Sequence, residues 1–260
     1  MKTSTIRLTE FQRHVVVGTL LGDSSLSCPA NGKNFHLSCY HAIKQSSWLE
    51  RKHEWLTPVS RPIQWCSYLD KRDGKTREGG RFHTVSIPCF TNLAQILYTR
   101  TRKKIISGEY LSLFNHPVSL ACLIGDDGSW DGAGIAIASK QFTADENRRL
   151  AKHLATTFEL SAKVNANGSY PYIRIPAASI GRIKELCKPW LPSVLFYKLG
   201  PEGWRTMLTG KVAVDCAACG TTFSTYTSAH QRFCSRACSS KDKPSAWPMR
   251  RQRYGLSGHR

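Results

Sequence analysis

The chain has 260 residues, 41% of them hydrophobic, with seven Trp, which is enough apolar material to bury the core of one or two domains. Lys and Arg total 37 against 18 Asp and Glu, a formal net charge of +19, and a core does not require so strong a positive field. A polyanion does: neutralised phosphates release condensed counterions, which points to nucleic acid, whereas a membrane-surface role needs a basic amphipathic helix that the sequence lacks.

No run approaches the roughly 20 apolar residues of a membrane span. The apolar stretch Val15 to Leu21 follows Lys2 and Arg7 but has no small-residue cleavage site and stops at Asp23, so it reads as a helix and not a leader. Thr9 and Gln12 form a capping box ahead of that helix, which runs to about Gly22. In NFHLSCYHA, Phe35, Leu37 and Cys39 alternate with His36, Ser38 and Tyr40, the period of a strand with one buried face. Ser47 and Glu50 suggest a second capping box ahead of WLERKHEWL, which Pro58 stops. PIQWCSYL and RFHTVSI read as strands flanking DKRDGKTREGG, a long polar hairpin tip. A helix from about Thr91 to Lys103 closes this half.

From His116 the order recurs. Pro117 suits a first helical turn, VSLACLIG continues it, and GIAIAS is a strand. Thr143 and Glu146 cap ENRRLAKHLATTF, KVNANGSYPYIRI is a hairpin turning at Asn167-Gly168, and IGRIKELCK is a helix stopped by Pro189. Each half reads helix, strand, helix, two strands, helix, a duplicated α+β unit.

Both opening helices end in acids beside small residues: VVVGTLLGDSS at residues 15 to 25 and LACLIGDDGS at residues 120 to 129. A carboxylate at a helix C-terminus meets the negative end of the macrodipole, so Asp23 and Asp127 sit where stability disfavours them and a divalent cation would reverse the sign. Gly18, Gly22, Ala121 and Gly125 would let the two helices approach closely and bring both acids to one end of the seam.

These segments resemble the paired motifs of the LAGLIDADG homing endonucleases, in the double-motif monomeric branch. The resemblance runs from about residue 11 to residue 200 and includes KKI at 103 to 105, LACLIGDDGSW, SKQFTADENRRL and LPSVLFYKLG; Ser24 stands where the motif has Gly, and Cys122 where it has a smaller residue. It implies two pseudo-symmetric LAGLIDADG repeats with saddle-shaped antiparallel sheets, at residues 1–110 and 111–203. It also implies a site-specific, double-strand DNA endonuclease that takes Mg²⁺ or Mn²⁺ on Asp23 and Asp127, with Asp126 the adjacent, non-equivalent acid and Lys104 and Lys198 as active-site lysines. An intron RNA maturase or splicing cofactor is the alternative on the same scaffold, with intron RNA as partner.

On such sheets the polar face would read bases in the major groove. Alternation nominates His36, Ser38 and Tyr40 in the first repeat and Lys163, Asn165, Tyr170, Tyr172 and Arg174 in the second, with Lys140 in the strand-to-helix segment. Lys71, Arg72, Lys75, Arg77 and Arg81 on the hairpin tip would grip phosphates.

Residues 204–260 lie outside the repeat. Six of ten cysteines are scattered, but Cys216, Cys219, Cys234 and Cys238 pair as CAAC and CSRAC, the spacing of a structural Zn²⁺ site, with His230 as a spare ligand. One metal site among otherwise free thiols fits a reducing, intracellular setting. Arg250, Arg251 and Arg253 follow without an acid, as a basic tail.

Overall fold

A computed structural model describes residues 6–71, 73–168, 170–201, 211–226 and 231–241, divided between two compact units, Met1–Pro201 and Glu202–Arg260.

In the larger unit the chain runs α1 (Glu10–Leu21), β1 (Ser25–Ser27), β2 (His36–Ala42), α2 (Ser46–Trp55), β3 (Gln64–Asp70), β4 (Lys75–His83), α3 (Pro88–Leu97) and α4 (Gly108–Leu113). It continues through α5 (Pro117–Asp127), β5 (Gly128–Trp130), β6 (Gly134–Ile137), α6 (Ala144–Phe158), β7 (Lys163–Asn167), β8 (Tyr170–Pro176) and α7 (Ile180–Cys187). The duplication is explicit in the sheets, which are both four-stranded and antiparallel, ordered β1-β2-β4-β3 and β5-β6-β8-β7.

The capping boxes of α1 and α6 both form, Thr9 with Gln12 and Thr143 with Glu146, so the helix starts lie where the residues ask for them. α1 and α5 pack along their length at the centre of the core, and from Val15 to Leu21 every residue of α1 is buried. Gly18 is what allows this approach: a Cβ there would lie 2.3 Å from the carbonyl oxygen of Ser119. Ser119 itself donates to the His14 carbonyl across the seam at 2.7 Å.

Four expectations are corrected. α2 has no Ser47 cap; its N-cap is Gln45, because a 3-10 turn over Ile43–Gln45 runs straight into Ser46 and leaves Ser47 inside the helix. KTREGG is strand and not loop: β3 and β4 pair as far as Asp70↔Lys75. α3 ends at Leu97, since the chain then turns back and Tyr98 pairs with Lys104 as an antiparallel bridge. The short edge strands β1 and β5 and the linking helix α4 are additional elements.

The smaller unit contains an antiparallel hairpin, β9 (Lys211–Asp215) with β10 (Thr222–Tyr226), and a short helix α8 (Arg236–Lys241). Arg72, His230, Arg250, Arg251 and Arg253 lie outside the described residues.

Candidate active site

The C-terminal ends of α1 and α5 meet at the foot of the seam, where Gly22 faces Asp126 directly: a Cβ on Gly22 would stand 2.5 Å from that of Asp126. Asp23 and Asp127 follow these two residues. Asp23 remains half-exposed, with 45% side-chain accessibility, and Asp127 is partly buried. Lost hydration raises the Asp23 pKa above the ordinary carboxylate value, and the charge of Asp126 raises it further against the pull of Lys52, Lys198 and Lys104. Asp127 is pushed up to about 7 by burial first, then by Asp23 and Asp126. Two carboxyl groups that resist ionising together form an oxygen-donor set short of positive charge, a setting suited to a hard divalent cation.

Lys104 and Lys198 reach the same place from opposite repeats. The bridge Tyr98↔Lys104 aims Lys104 at the end of α1, where its ammonium donates to the Gly22 carbonyl at 2.9 Å and the Ser24 carbonyl at 2.7 Å. Lys198, in a 3-10 turn over Ser193–Leu199, donates to the carbonyls of Gly125 at 2.6 Å and Asp126 at 2.9 Å. The carbonyls of Gly22, Gly125 and Asp126 are ones that a helix C-terminus leaves without intrahelical partners, so each amine caps its helix end. Burial lowers the pKa of each, and the surrounding acids oppose that shift.

Three further groups stand beside these four. Asp126 is fully buried; its Oδ1 accepts from Lys52 Nζ at 2.6 Å and Trp48 Nε1 at 2.8 Å. His41 lies 3.1 Å from Lys52, and burial lowers its pKa to about 4, holding it neutral. Ligating atoms of Asp23, His41 and Asp126 lie within 4.8 Å of one another, but the Lys52 ammonium already provides the cation on Asp126. Lys52 and His41 were not anticipated from sequence. Two signals mark them: Lys52 falls on the same stripe of α2 as buried Trp48 and Leu49, and His41 is the next inward position after Leu37 and Cys39.

Register fixes the open face of each sheet. Ser38↔His83, Tyr40↔Arg81 and Gln64↔Arg81 put His36, Ser38 and Tyr40 on one face with Lys75, Arg77 and Arg81, joined by Gln64 and His83, which sequence reasoning passed over. Lys75, Arg77 and Arg81 thus belong to a strand face and not to a loop tip; only Lys71 of the described basic group lies in the turn, exposed. Arg77 is engaged with Asp70 at 2.8 Å and Asp73 at 2.6 Å. In the second sheet Lys163↔Arg174 and Asn165↔Tyr172 share the open face, while Val164, Ile173 and Ile175 point to the other side. Asp131 holds Arg174 through two hydrogen bonds of 2.7 and 3.1 Å. Lys140, Tyr170 and Tyr172 line a groove of about 460 Å³ on this sheet.

In the smaller unit Cys216 and Cys219 sit on a turn in which Gly220, at φ +69°, donates to the Cys216 carbonyl. Cys234 lies two residues ahead of α8 and Cys238 in its first turn, and the four sulfurs lie within 4.8 Å of one another. Cys219–Cys234 and Cys234–Cys238 sulfurs are 3.6 Å apart, close to the ~3.8 Å edge of a tetrahedron with ~2.3 Å Zn–S bonds. The Cys234 backbone N–H at 3.4 Å pulls the Cys216 pKa down to about 6, favouring its thiolate.

Comparison with known proteins agrees with this geometry. The family model described as "LAGLIDADG DNA endonuclease family" matches residues 13–183. DNA endonuclease I-ChuI of Chlamydomonas applanata is 28% identical over 209 residues, covering 74% of this chain and 95% of that protein. Cytochrome b mRNA maturase bI2 of Debaryomyces hansenii is 24% identical over 191 residues, covering 72% of each. Among solved structures, the homing endonuclease I-WcaI bound to its DNA recognition sequence superposes with a TM-score of 0.68 at 22% identity, over 75% of this chain and 88% of that one, which establishes the shared fold.

Proposed function

The chain belongs to the LAGLIDADG DNA endonuclease family, and we propose that it acts within it as a monomeric, site-specific endonuclease that hydrolyses both strands of a long DNA target with divalent metal. The observation that carries this reading is the meeting of Asp23 and Asp127 at the α1–α5 seam, with one lysine reaching the pair from each repeat. Asp23 and Asp127 would hold Mg²⁺ or Mn²⁺; bound there, the cation would supply an activated water and stabilise the leaving oxygen. Lys104 and Lys198 would offer positive charge to the phosphate. The open sheet faces supply base contacts through His36, Ser38, Tyr40, Asn165 and Tyr172, and phosphate contacts through the exposed lysines and arginines. Zn²⁺ on the four clustered cysteines would be structural, and six further cysteines outside any disulfide accord with a reducing, intracellular setting.

The similarity to a maturase supports one rival, an RNA-splicing role on the same scaffold. Both seam acids are intact, which favours cleavage. The experiment that separates them challenges the purified protein and Mg²⁺ with a pooled library of randomised DNA duplexes, alongside group I and group II intron transcripts. Cut DNA supports the nuclease; accelerated splicing with no cut duplex supports the maturase.

A further inference from the structure

Asp126 is the one acid at the seam with no oxygen to spare for a metal. While Oδ1 serves Lys52 and Trp48, Oδ2 accepts from Thr19 Oγ1 at 3.0 Å and from the backbone N–H of Asp23 at 3.3 Å. A carboxylate from the second repeat therefore anchors the backbone of the first repeat's catalytic acid. Lys52, itself fully buried, holds that carboxylate and also donates to Thr19 Oγ1 at 2.6 Å.

The anchor has no counterpart on the other side. Gly22 occupies in α1 the place of Asp126 in α5, immediately before the acid, and offers no side chain to the Asp127 amide. The stripe of α2 that buries Trp48, Leu49 and Lys52 recurs in α6 as Glu146, Asn147 and Leu150, so a leucine stands where the first repeat has lysine. A buried ion pair is commonly no more stable than an apolar pair of similar size, so stability alone gives little reason to keep one here.

We propose that Lys52 and Asp126 are positioning residues for Asp23, setting the cutting rate of one DNA strand without touching the other; this rests on the nuclease reading above. Asp23 projects half-exposed from the turn that ends α1, so its direction follows the backbone that Asp126 fixes. Asp127 is the last residue of α5, and its carbonyl accepts from the Ala138 backbone N–H at 3.0 Å, so its backbone is held without Asp126 Oδ2.

The test compares wild type with Lys52→Met/Asp126→Leu, which removes the pair and the acceptor, and with Lys52→Met/Asp126→Asn, which removes the charges but keeps an oxygen for the Asp23 amide. Two substrates carry a duplex recovered by the wild-type protein from the randomised library: a supercoiled plasmid, which reports nicked circles, and a linear duplex with each strand separately end-labelled, which reports the rate of each strand. The leucine variant should cut one strand about 10-fold or more slowly and accumulate nicked circles, with the other strand cut at the wild-type rate. The asparagine variant should recover much of the slow strand. In metal-free, ¹⁵N-labelled protein the Asp23 amide resonance should move in the leucine variant and return toward wild type with asparagine. Equal slowing of both strands, an asparagine variant no better than leucine, or a stationary Asp23 resonance would overturn the proposal. If the leucine variant does not fold, Thr19→Val, nearly isosteric, should bias the strands in the same sense, and unbiased cutting overturns the proposal equally. A wild-type protein that cuts no duplex removes the nuclease reading and the strand-specific role together, while the Asp23 resonance still reports the anchor.

Discussion

Gly22 and Asp126 hold the same place in the two repeats, and the missing side chain of one is the space the other fills: a Cβ on Gly22 would meet Asp126 Oδ2 at 2.7 Å. Gly22→Ala must therefore displace a fully buried carboxylate from its partners, Thr19 and the Asp23 N–H on Oδ2 and Lys52 and Trp48 on Oδ1. A destabilisation of ~2–4 kcal/mol is expected, combining overpacking with a broken buried pair. Urea unfolding reads it, and a loss under about 0.5 kcal/mol would mean that the seam can open without disturbing the pair.

Asp23→Asn and Asp127→Asn should each abolish double-strand cleavage and leave target binding within a modest factor, because on the proposed reading these acids would hold metal and would not read bases. Gel-shift affinity and plasmid linearisation are measured on the same preparations. Linear product at the wild-type rate from either variant would remove that acid from the site.

Lys104→Met and Lys198→Met should slow single-turnover cleavage by on the order of 10² or more, the usual consequence of losing an electrostatic stabiliser. Each also strips a helix end of the amine that bonds its carbonyls. The lysines leave the mechanism if both variants turn over at the unmodified rate.

How much of this was legible in the chain depends on whether the signal was local. Thr9 and Thr143 cap their helices through residues three positions away, and the alternation of Leu37 and Cys39 needs only the strand itself, so these could be read directly. KTREGG hid its strand because hydrophobic periodicity is silent where both faces of the hairpin are wet, as at Lys75 and Thr76, which are both exposed. Asp23 and Asp127 were legible from the duplicated motif. Lys52 was not: a buried lysine is intelligible only from its partner, and Asp126 lies 74 residues further along.

Asp127 makes stability depend on pH. Its carboxyl, at about 7 when folded against 3.8 ordinarily, keeps a proton that the unfolded chain has already released across that window. Stability of the metal-free protein should therefore fall as pH rises from about 4 to about 7, with the full penalty present above the folded value. Asp127→Asn should flatten that slope and leave the metal-free variant more stable at pH 8 by on the order of 1–2 kcal/mol, allowing for solvent screening. Added Mg²⁺ should restore the wild type toward it, since the ionised form is the one a cation stabilises. Thermal melting across pH with and without Mg²⁺ measures this, and a wild-type curve parallel to that of Asp127→Asn would contradict it.

The cysteine unit should bind one Zn²⁺ and be separable from catalysis. The apolar core of the larger unit is made of residues between Leu8 and Leu199, and all four seam residues, Asp23, Lys104, Asp127 and Lys198, lie within it, so a chain ending at Gly203 should still fold and cut. It lacks Arg250, Arg251 and Arg253, whose charges would neutralise several phosphates. Affinity should drop, and its log–log dependence on salt should become shallower by about 0.9 for each phosphate no longer neutralised. Full-length protein should carry one equivalent of zinc by metal analysis, the shortened chain none, and Cys216→Ser/Cys234→Ser none, because removing a ligand from each pair leaves only two thiolates where a closed structural site needs four. Zinc retained by the shortened chain, or a salt slope unchanged by the truncation, would show that this unit neither holds the metal nor touches the DNA backbone.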